Sequence, residues 1–437
     1  MWWRAARLFW MVYIRAECKA RARKKFKEEI AMKYILIIGD GMADNPVDRI
    51  GGKTPLQVAV TPFFDEIAGK GYVNSVLTVP EGLPPGSDTA ILSIFGNDPR
   101  MCYTGRSPLE AAGCGVSLAD GDVSYRCNMV ALSDEAVPLA QRRILSHSAG
   151  SIEGDESIEI IEALFSHPDF APYAERVGMT LHPVASFRHI GVQKGVTTEG
   201  MVLAPPHDHL GESAGDYLPK GSADAAVLLD LMERAHEILD KHPLNEKRRA
   251  EGKLPANGIW FWAEGTAVGL ESFYDKYGKT GAVISAVPLC HGIARLSGLD
   301  VVFVDGATGE LDTNYAGKVS AALEALETRD FVAIHIEAPD ECTHNGDLPG
   351  KLQAIEWLDS KVIRPMVEGM KEDFRLLILS DHKTLTSTRG HDGDPVPYLI
   401  YDSRKNSGRG LPYDESSGDL GEYMAEGTRL MPLLFSE

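Results

Sequence analysis

Acidic and histidine residues stand at three places where an apolar run of strand length gives way to polar or turn residues. Asp40 follows "KYILIIG", Asp340 follows "FVAIHIEAP", and Asp381 and His382 follow "RLLILS". His344 lies four residues beyond Asp340, on one face with it if the segment turns helically. His391 falls in the glycine-bearing loop "RGHDGDPVP". Any one Asp–His pair is commoner at a surface or a cap than around a metal, but three strand ends with the same chemistry are another matter. Carboxylates crowded at one sheet edge repel unless protons or cations neutralise them. Imidazole with carboxylate suits manganese or zinc better than magnesium. A fourth candidate lies in "LPPGSDTAILS", residues 83–93. Pro84 and Pro85 stiffen the approach, Gly86 is expected to supply a positive-φ turn, and Ser87 opens a helical run. Alone, Ser87 reads as a helix N-cap. Beside divalent cations it reads as a nucleophile, because a metal-held hydroxyl loses its proton near neutral pH. A helix N-terminus also suits a phosphate group. Asp40, Asp340, Asp381 and a Ser87 alkoxide together carry the negative charge that two divalent cations balance.

The elements that must position these residues are strands alternating with helices. "KYILIIGDG", "GIWFWAEG", "GAVISAV", "DVVFVDG", "DFVAIHIEAPD", "RLLILSDH" and "PYLIYD" read as strands, most of them near-continuously apolar. "TPFFDEIAGKG", "AAVLLDLMERAHEILDKH", "GKVSAALEALETRD" and "GKLQAIEWLDSKV" carry helical periodicity, and Arg364-Pro365 is expected to stop or kink the last of them. The pattern predicts an α/β fold with a mostly parallel sheet covered by helices on both faces. Such sheets gather their chemistry at the carboxyl ends of the strands. The stretch from about 120 to 276 is loop-rich with few clear strands, and we read 121–276 as an inserted α/β domain. The core is then discontinuous, 32–120 with 277–437. Residues 1–31, with nine Lys/Arg against three Glu, read as a basic N-terminal extension outside the fold. Their apolar run is too short to span a bilayer.

A formal net charge of −19 argues against nucleic acid or an anionic membrane surface as partner. An anionic substrate then needs local positive charge, and screening confines bulk repulsion to roughly 8 Å. Six cysteines with no CxxC pair point to a reducing, cytoplasmic setting without a disulfide framework. Cys342, between Asp340 and His344, reads as a small buried neighbour.

The segments "GDGMAD", "GGKTPLQVAVTP", "PPGSDTAILSIFGNDP", "YTGRSPLEAAG", "APDECTHNGD" and "SDHKTL" with "HDGDPVP" resemble the cofactor-independent phosphoglycerate mutases of archaeal type, in the alkaline phosphatase superfamily. The resemblance runs from Met32 to the C-terminus. It implies an alkaline-phosphatase-like core with an inserted phosphotransferase domain, acting on a small phosphorylated substrate. One metal would be held by Asp340, His344 and His391, the other by Asp40, Ser87, Asp381 and His382. Mn²⁺ is the first choice, with Zn²⁺, Mg²⁺ or Co²⁺ as others. Ser87 would take the phosphoryl group of 3-phosphoglycerate and return it to the 2-hydroxyl, without 2,3-bisphosphoglycerate, in glycolysis and gluconeogenesis. Arg106 and Arg188 are candidates for the substrate's charges, each equally readable as a structural arginine. Departures from the family pattern fall at Ser151, His291 and Lys383. The alternatives are a phosphotransferase of the same family acting on homoserine, and a metal-dependent phosphatase. A non-catalytic relative would have lost ligands, and all seven positions are intact.

Overall fold

The computed structural model describes residues 32–436, so the extension expected over 1–31 lies outside the described residues. The chain forms two compact units. The first combines the described part of Met1–Asn97 with Phe273–Ala286 and Leu299–Glu437; the second combines Asp98–Ser272 with Val287–Gly298.

In the first unit the strand Lys33–Gly39 is buried along all seven residues, as its unbroken apolar run demands. It pairs in parallel with Phe331–Ile336 on one side and Phe374–Leu379 on the other. Gly281–Ile284 and Asp300–Val302 continue the parallel set. Val396–Asp402 and Tyr72–Val76 add antiparallel pairings on the far side, and Tyr423–Met424 closes the eight-stranded sheet. The expected α/β class, mostly parallel at its centre, is present. Register pairs Gly39 with Ile336 and Ile38 with Leu379, so three segments leave the sheet at one level. That carboxyl edge is where Asp40, Asp340 and Asp381 emerge.

Two helices of this unit begin where a side chain serves a free first-turn amide. Asn314 accepts from Gly317 N–H at 2.8 Å, and Asp347 from Gly350 N–H at 3.0 Å. Arg364-Pro365 does not stop the last helix. Leu348–Leu358 passes through a π turn, Asp359–Ile363, into a further helical segment, Arg364–Gly369. A proline ring clashes with the carbonyl four residues back, and a widened turn just before it relieves that clash.

The second unit, expected as a loop-rich α/β domain with few clear strands, holds a sheet of five antiparallel-paired strands. Asp122–Leu132 pairs with Arg188–Lys194, Gly258–Thr266 and Ile144–Ser146, and Met179–His182 pairs with Arg188–Lys194. "GIWFWAEG" therefore belongs to this antiparallel sheet, not to the parallel one. Val123, Tyr125, Cys127 and Met129 face an apolar cluster that includes Ile160, Ile161, Leu228, Leu231 and Met232 from the helices Gly154–Phe165 and Ala223–Leu239. Ser124, Arg126 and Asn128 alternate with them, also buried, and bond to polar partners.

The boundaries differ from those expected at 120/121 and 276/277, because 98–120 and 287–298 pack with the second unit. The helices Arg106–Gly113 and Pro288–Leu296 touch backbone to backbone. A Cβ on Gly113 would overlap the Pro288 carbonyl, and one on Gly292 would overlap that of Leu109. Ser107 also bonds to Ser124 of the sheet at 2.8 Å.

Candidate active site

The backbone amide of Asp40 donates to the Ile336 carbonyl at 2.9 Å, which sets the carboxylate just past the sheet edge. Gly41 has φ 58°, and a side chain there would run into Thr384 and Asp340. Its N–H donates to Asp381 Oδ1 at 3.1 Å. Only glycine meets both demands cheaply.

Ser87 opens the helix Ser87–Ile94 but does not cap it. Gly86 holds the cap position with φ 175°, so the backbone there is extended and the expected positive-φ turn is absent. Thr89 Oγ1 donates toward the Pro84 and Gly86 carbonyls at 3.1 Å each, and Asp88 Oδ1 accepts from Thr89 N–H at 2.9 Å. With the approach held by those neighbours, the Ser87 hydroxyl serves another contact. Its Oγ lies 3.1 Å from His382 Nε2 and 3.4 Å from Asp40 Oδ2.

The structure brings all seven expected residues together in the first unit, as two sets of converging lone pairs. His382 Nδ1 faces the Lys383 carbonyl at 3.3 Å and therefore carries the ring proton. Its Nε2 then presents a lone pair 3.5 Å from Asp40 Oδ1 and 3.3 Å from Asp381 Oδ2. Both of those oxygens are buried and accept no hydrogen bond. In the second set, His344 Nδ1 donates to the Arg389 carbonyl at 2.8 Å and His391 Nδ1 faces that of Pro85 at 3.3 Å. The two Nε2 atoms meet at 2.9 Å, with Asp340 oxygens 3.1 Å from His344 and 3.5 Å from His391. Lone pairs aimed at one another need a proton or a cation between them. Asp340 belongs to both groupings, with His344 and His391 and with Asp40 and His382, donor atoms in each within 4.8 Å of one another. The donor set fits divalent metal ions.

With protons in the place of cations, the electrostatics agree. Burial, then the charges of Asp381, Asp340 and Glu337, push the Asp40 carboxyl well above the usual range. Burial works to raise Asp340 too, but hydrogen bonds from His344 and His391 outweigh it and hold that carboxyl well below. The hydrogen bond to Asp340 lifts His344 to about 9, while burial lowers His382. Burial also pushes the Cys342 thiol up to about 11, as suits the small buried neighbour expected there.

Several participants escaped the sequence reading. His335 Nε2 lies 3.0 Å from Asp40 Oδ2, and its only signal was a polar residue inside an apolar strand. Thr384 Oγ1 donates to Asp340 Oδ1 at 2.5 Å. Lys351, fully buried, donates to Asp44 Oδ2 at 3.0 Å and to the Thr384 carbonyl at 2.7 Å.

Arg106 and Arg188 lie in the second unit around the buried Glu110. Arg106 Nε donates to Glu110 Oε1 at 3.1 Å, and Arg126 Nε to Oε2 at 2.7 Å. Burial alone would raise Glu110, but Arg126, Arg106 and Arg188 hold its carboxyl far below the usual range. Arg126 also stacks over Trp262, which His207 approaches at 5.1 Å. Of the departures, Ser151 is exposed at φ 59°, His291 is buried, and Lys383 Nζ donates to Asn45 Oδ1 at 2.9 Å.

With this geometry in hand, comparison with known proteins is specific. The family described as 2,3-bisphosphoglycerate-independent phosphoglycerate mutase matches residues 68–245. An enzyme of that name from Methanosarcina acetivorans is 46% identical over 400 residues, covering 89% of this chain and 96% of its own. A solved Pyrococcus horikoshii protein aligns with TM-score 0.74 at 30% identity, over 93% of this chain and 97% of its own. The cofactor-independent phosphoglycerate mutase of Thermoplasma acidophilum aligns with TM-score 0.56 at 25% identity, over 92% of this chain and 98% of its own. Identity at this level over nearly the whole length, with the same fold beneath it, makes this chain a member of the 2,3-bisphosphoglycerate-independent phosphoglycerate mutase family.

Proposed function

We propose that this chain interconverts 3-phosphoglycerate and 2-phosphoglycerate through a phosphoserine at Ser87, without 2,3-bisphosphoglycerate. The setting we assign is cytoplasmic, in glycolysis and gluconeogenesis. Among the described residues no helix is long and apolar enough to cross a membrane. The observation that carries the reading is the Ser87 hydroxyl, released from capping and placed beside Asp40 and His382. Two divalent ions, Mn²⁺ first, would be held by Asp340, His344 and His391 and by Asp40, Ser87, Asp381 and His382. Such ions, when bound, acidify a hydroxyl and neutralise phosphoryl oxygens.

Ser87 Oγ attacks phosphorus and gives up its proton. The bond from phosphorus to the glycerate 3-oxygen breaks, and that oxygen takes a proton. In the return step the glycerate 2-hydroxyl attacks the phosphoserine and loses its proton, and the Ser87–phosphorus bond breaks. No outside donor is consumed. The first-turn amides of Ser87–Ile94 favour the phosphoryl group on the serine. Arg106 and Arg188 are our candidates for holding substrate charge in the second unit, through the fork geometry that suits carboxylates and phosphates. We assign that unit as the phosphotransferase domain.

Transfer to homoserine would need a separate phosphoryl donor, and transfer to water would make a phosphatase. The name borne by the Methanosarcina relative supports the mutase over both. The test is ³¹P NMR of the Mn²⁺-loaded protein with 3-phosphoglycerate, free of ATP and 2,3-bisphosphoglycerate, and in parallel with homoserine and ATP. Conversion to 2-phosphoglycerate, abolished by a chelator and restored by Mn²⁺, is the expected result. Inorganic phosphate as the main product, or phosphohomoserine alone, would refute it.

A further inference from the structure

We infer that His335 is a positioning residue for Asp40: anchored by Ser285, its imidazole occupies one carboxylate oxygen and leaves the other free to face a cation. The inference rests on the metal reading of the cluster. His335 is 2% exposed inside Phe331–Ile336, a strand otherwise built of apolar side chains. An imidazole buried there is costly unless its nitrogens are bonded. Register supplies both partners. Ile284 pairs with Ile334 and Ile38 with His335, so Ser285 and Asp40 flank His335 from the two neighbouring strands. Ser285 Oγ lies 3.2 Å from Nδ1, and Asp40 Oδ2 lies 3.0 Å from Nε2.

With a cation beside it Asp40 is an ionised carboxylate and only accepts, so Nε2 carries the proton, and Nδ1 of the neutral ring accepts from the Ser285 hydroxyl. Oδ2 of Asp40 is thereby engaged, at a shorter distance than the 3.4 Å contact that the Ser87 hydroxyl makes with the same oxygen. Oδ1 is buried, accepts no hydrogen bond, and lies 3.5 Å from the lone pair of His382 Nε2. Without His335 the carboxylate could turn to present either oxygen, and its orientation toward the cation would no longer be set. Outer partners of ligating side chains are worth about 10–100-fold in metal affinity.

The test is Mn²⁺ affinity by isothermal titration of the full-length protein, with folding checked by circular dichroism. The Gln side-chain amide reaches the position of Nε2, whereas that of Asn reaches only the position of Nδ1. His335→Gln should bind Mn²⁺ within about threefold of the unaltered protein, and His335→Asn at least about tenfold more weakly. Ser285→Ala, which keeps the ring but removes its anchor, should weaken binding by more than about threefold, and it decides the matter if His335→Asn does not fold. Equal affinities for His335→Gln and His335→Asn, or unchanged affinity for Ser285→Ala, would overturn the inference. If the unaltered protein bound no Mn²⁺, the metal reading itself would fall, and this inference with it.

Discussion

The Ser87 hydroxyl contributes little to its own helix, because Gly86 holds the cap position and makes no side-chain bond there. Removing it should therefore cost the fold no more than the loss of an ordinary cap, about 1 kcal/mol. Its contacts with His382 and Asp40 lie instead on the side where phosphoryl transfer would take place. Ser87→Ala is expected to keep the unaltered Tm within a few degrees and to drop turnover below about a hundredth, since the covalent step is gone. A coupled assay for 2-phosphoglycerate and a thermal melt check the two halves separately. Turnover near that of the unaltered protein would mean that the acceptor attacks phosphorus directly.

At the scale of elements, the site depends on how the loops behind it are tied together. Lys351, from the helix Leu348–Leu358, reaches Asp44 after the first strand and the carbonyl of Thr384 in the short hairpin that also carries His391. Asp44 accepts further bonds from Thr386 N–H at 3.0 Å and Thr386 Oγ1 at 2.6 Å. Both charged groups are almost fully buried. A buried ion pair adds little over an apolar replacement of the whole pair, but removing one partner strands the other charge. Lys351→Met should cost about 3–5 kcal/mol in urea denaturation of the first unit. A loss under about 1 kcal/mol would show that the loops are held by other contacts.

At the scale of the molecule, acid acts on the second unit through a buried histidine. His189 in the second unit is fully buried, and Val184 N–H donates to its Nδ1 at 3.1 Å, which only a neutral ring accepts. Burial pushes its pKa down to about 4 from an ordinary 6.5. The folded pKa lies below the unfolded one, so the unfolded state binds more protons between them. The stability that this ring contributes is complete above pH 6.5 and is lost as pH falls toward 4. At pH 5 the loss is about 2 kcal/mol from this residue. Denaturation of the second unit at pH 7.5 and pH 5 should show the drop, and His189→Asn should reduce it. The net charge of −19 belongs to this scale too, and the arginines around Glu110 show how positive charge is concentrated locally against it.

Asp40, Ser87, Asp340, His344, Asp381, His382 and His391 were legible as candidates because their chemistry requires certain residue types, and because apolar strands announce where they end. Strand period and residue type are local properties, readable along the chain. The alternation of Val123, Tyr125, Cys127 and Met129 with Ser124, Arg126 and Asn128 is local too, but polar residues on the second face made a buried strand look like a loop. What those polar residues meet, Ser107, Glu110 and Trp262, is settled only by packing. The same holds for Ser87, a cap by its neighbours in sequence and a site residue by its neighbours in space. His335 is the clearest case. Its partner Asp40 is 295 residues away, and parallel register alone brings them within 3.0 Å. Residue types and periods specify which elements form and what they can offer. Which side chains face one another is decided by register and packing between distant segments, where a shift of one residue would turn each side chain to the opposite face.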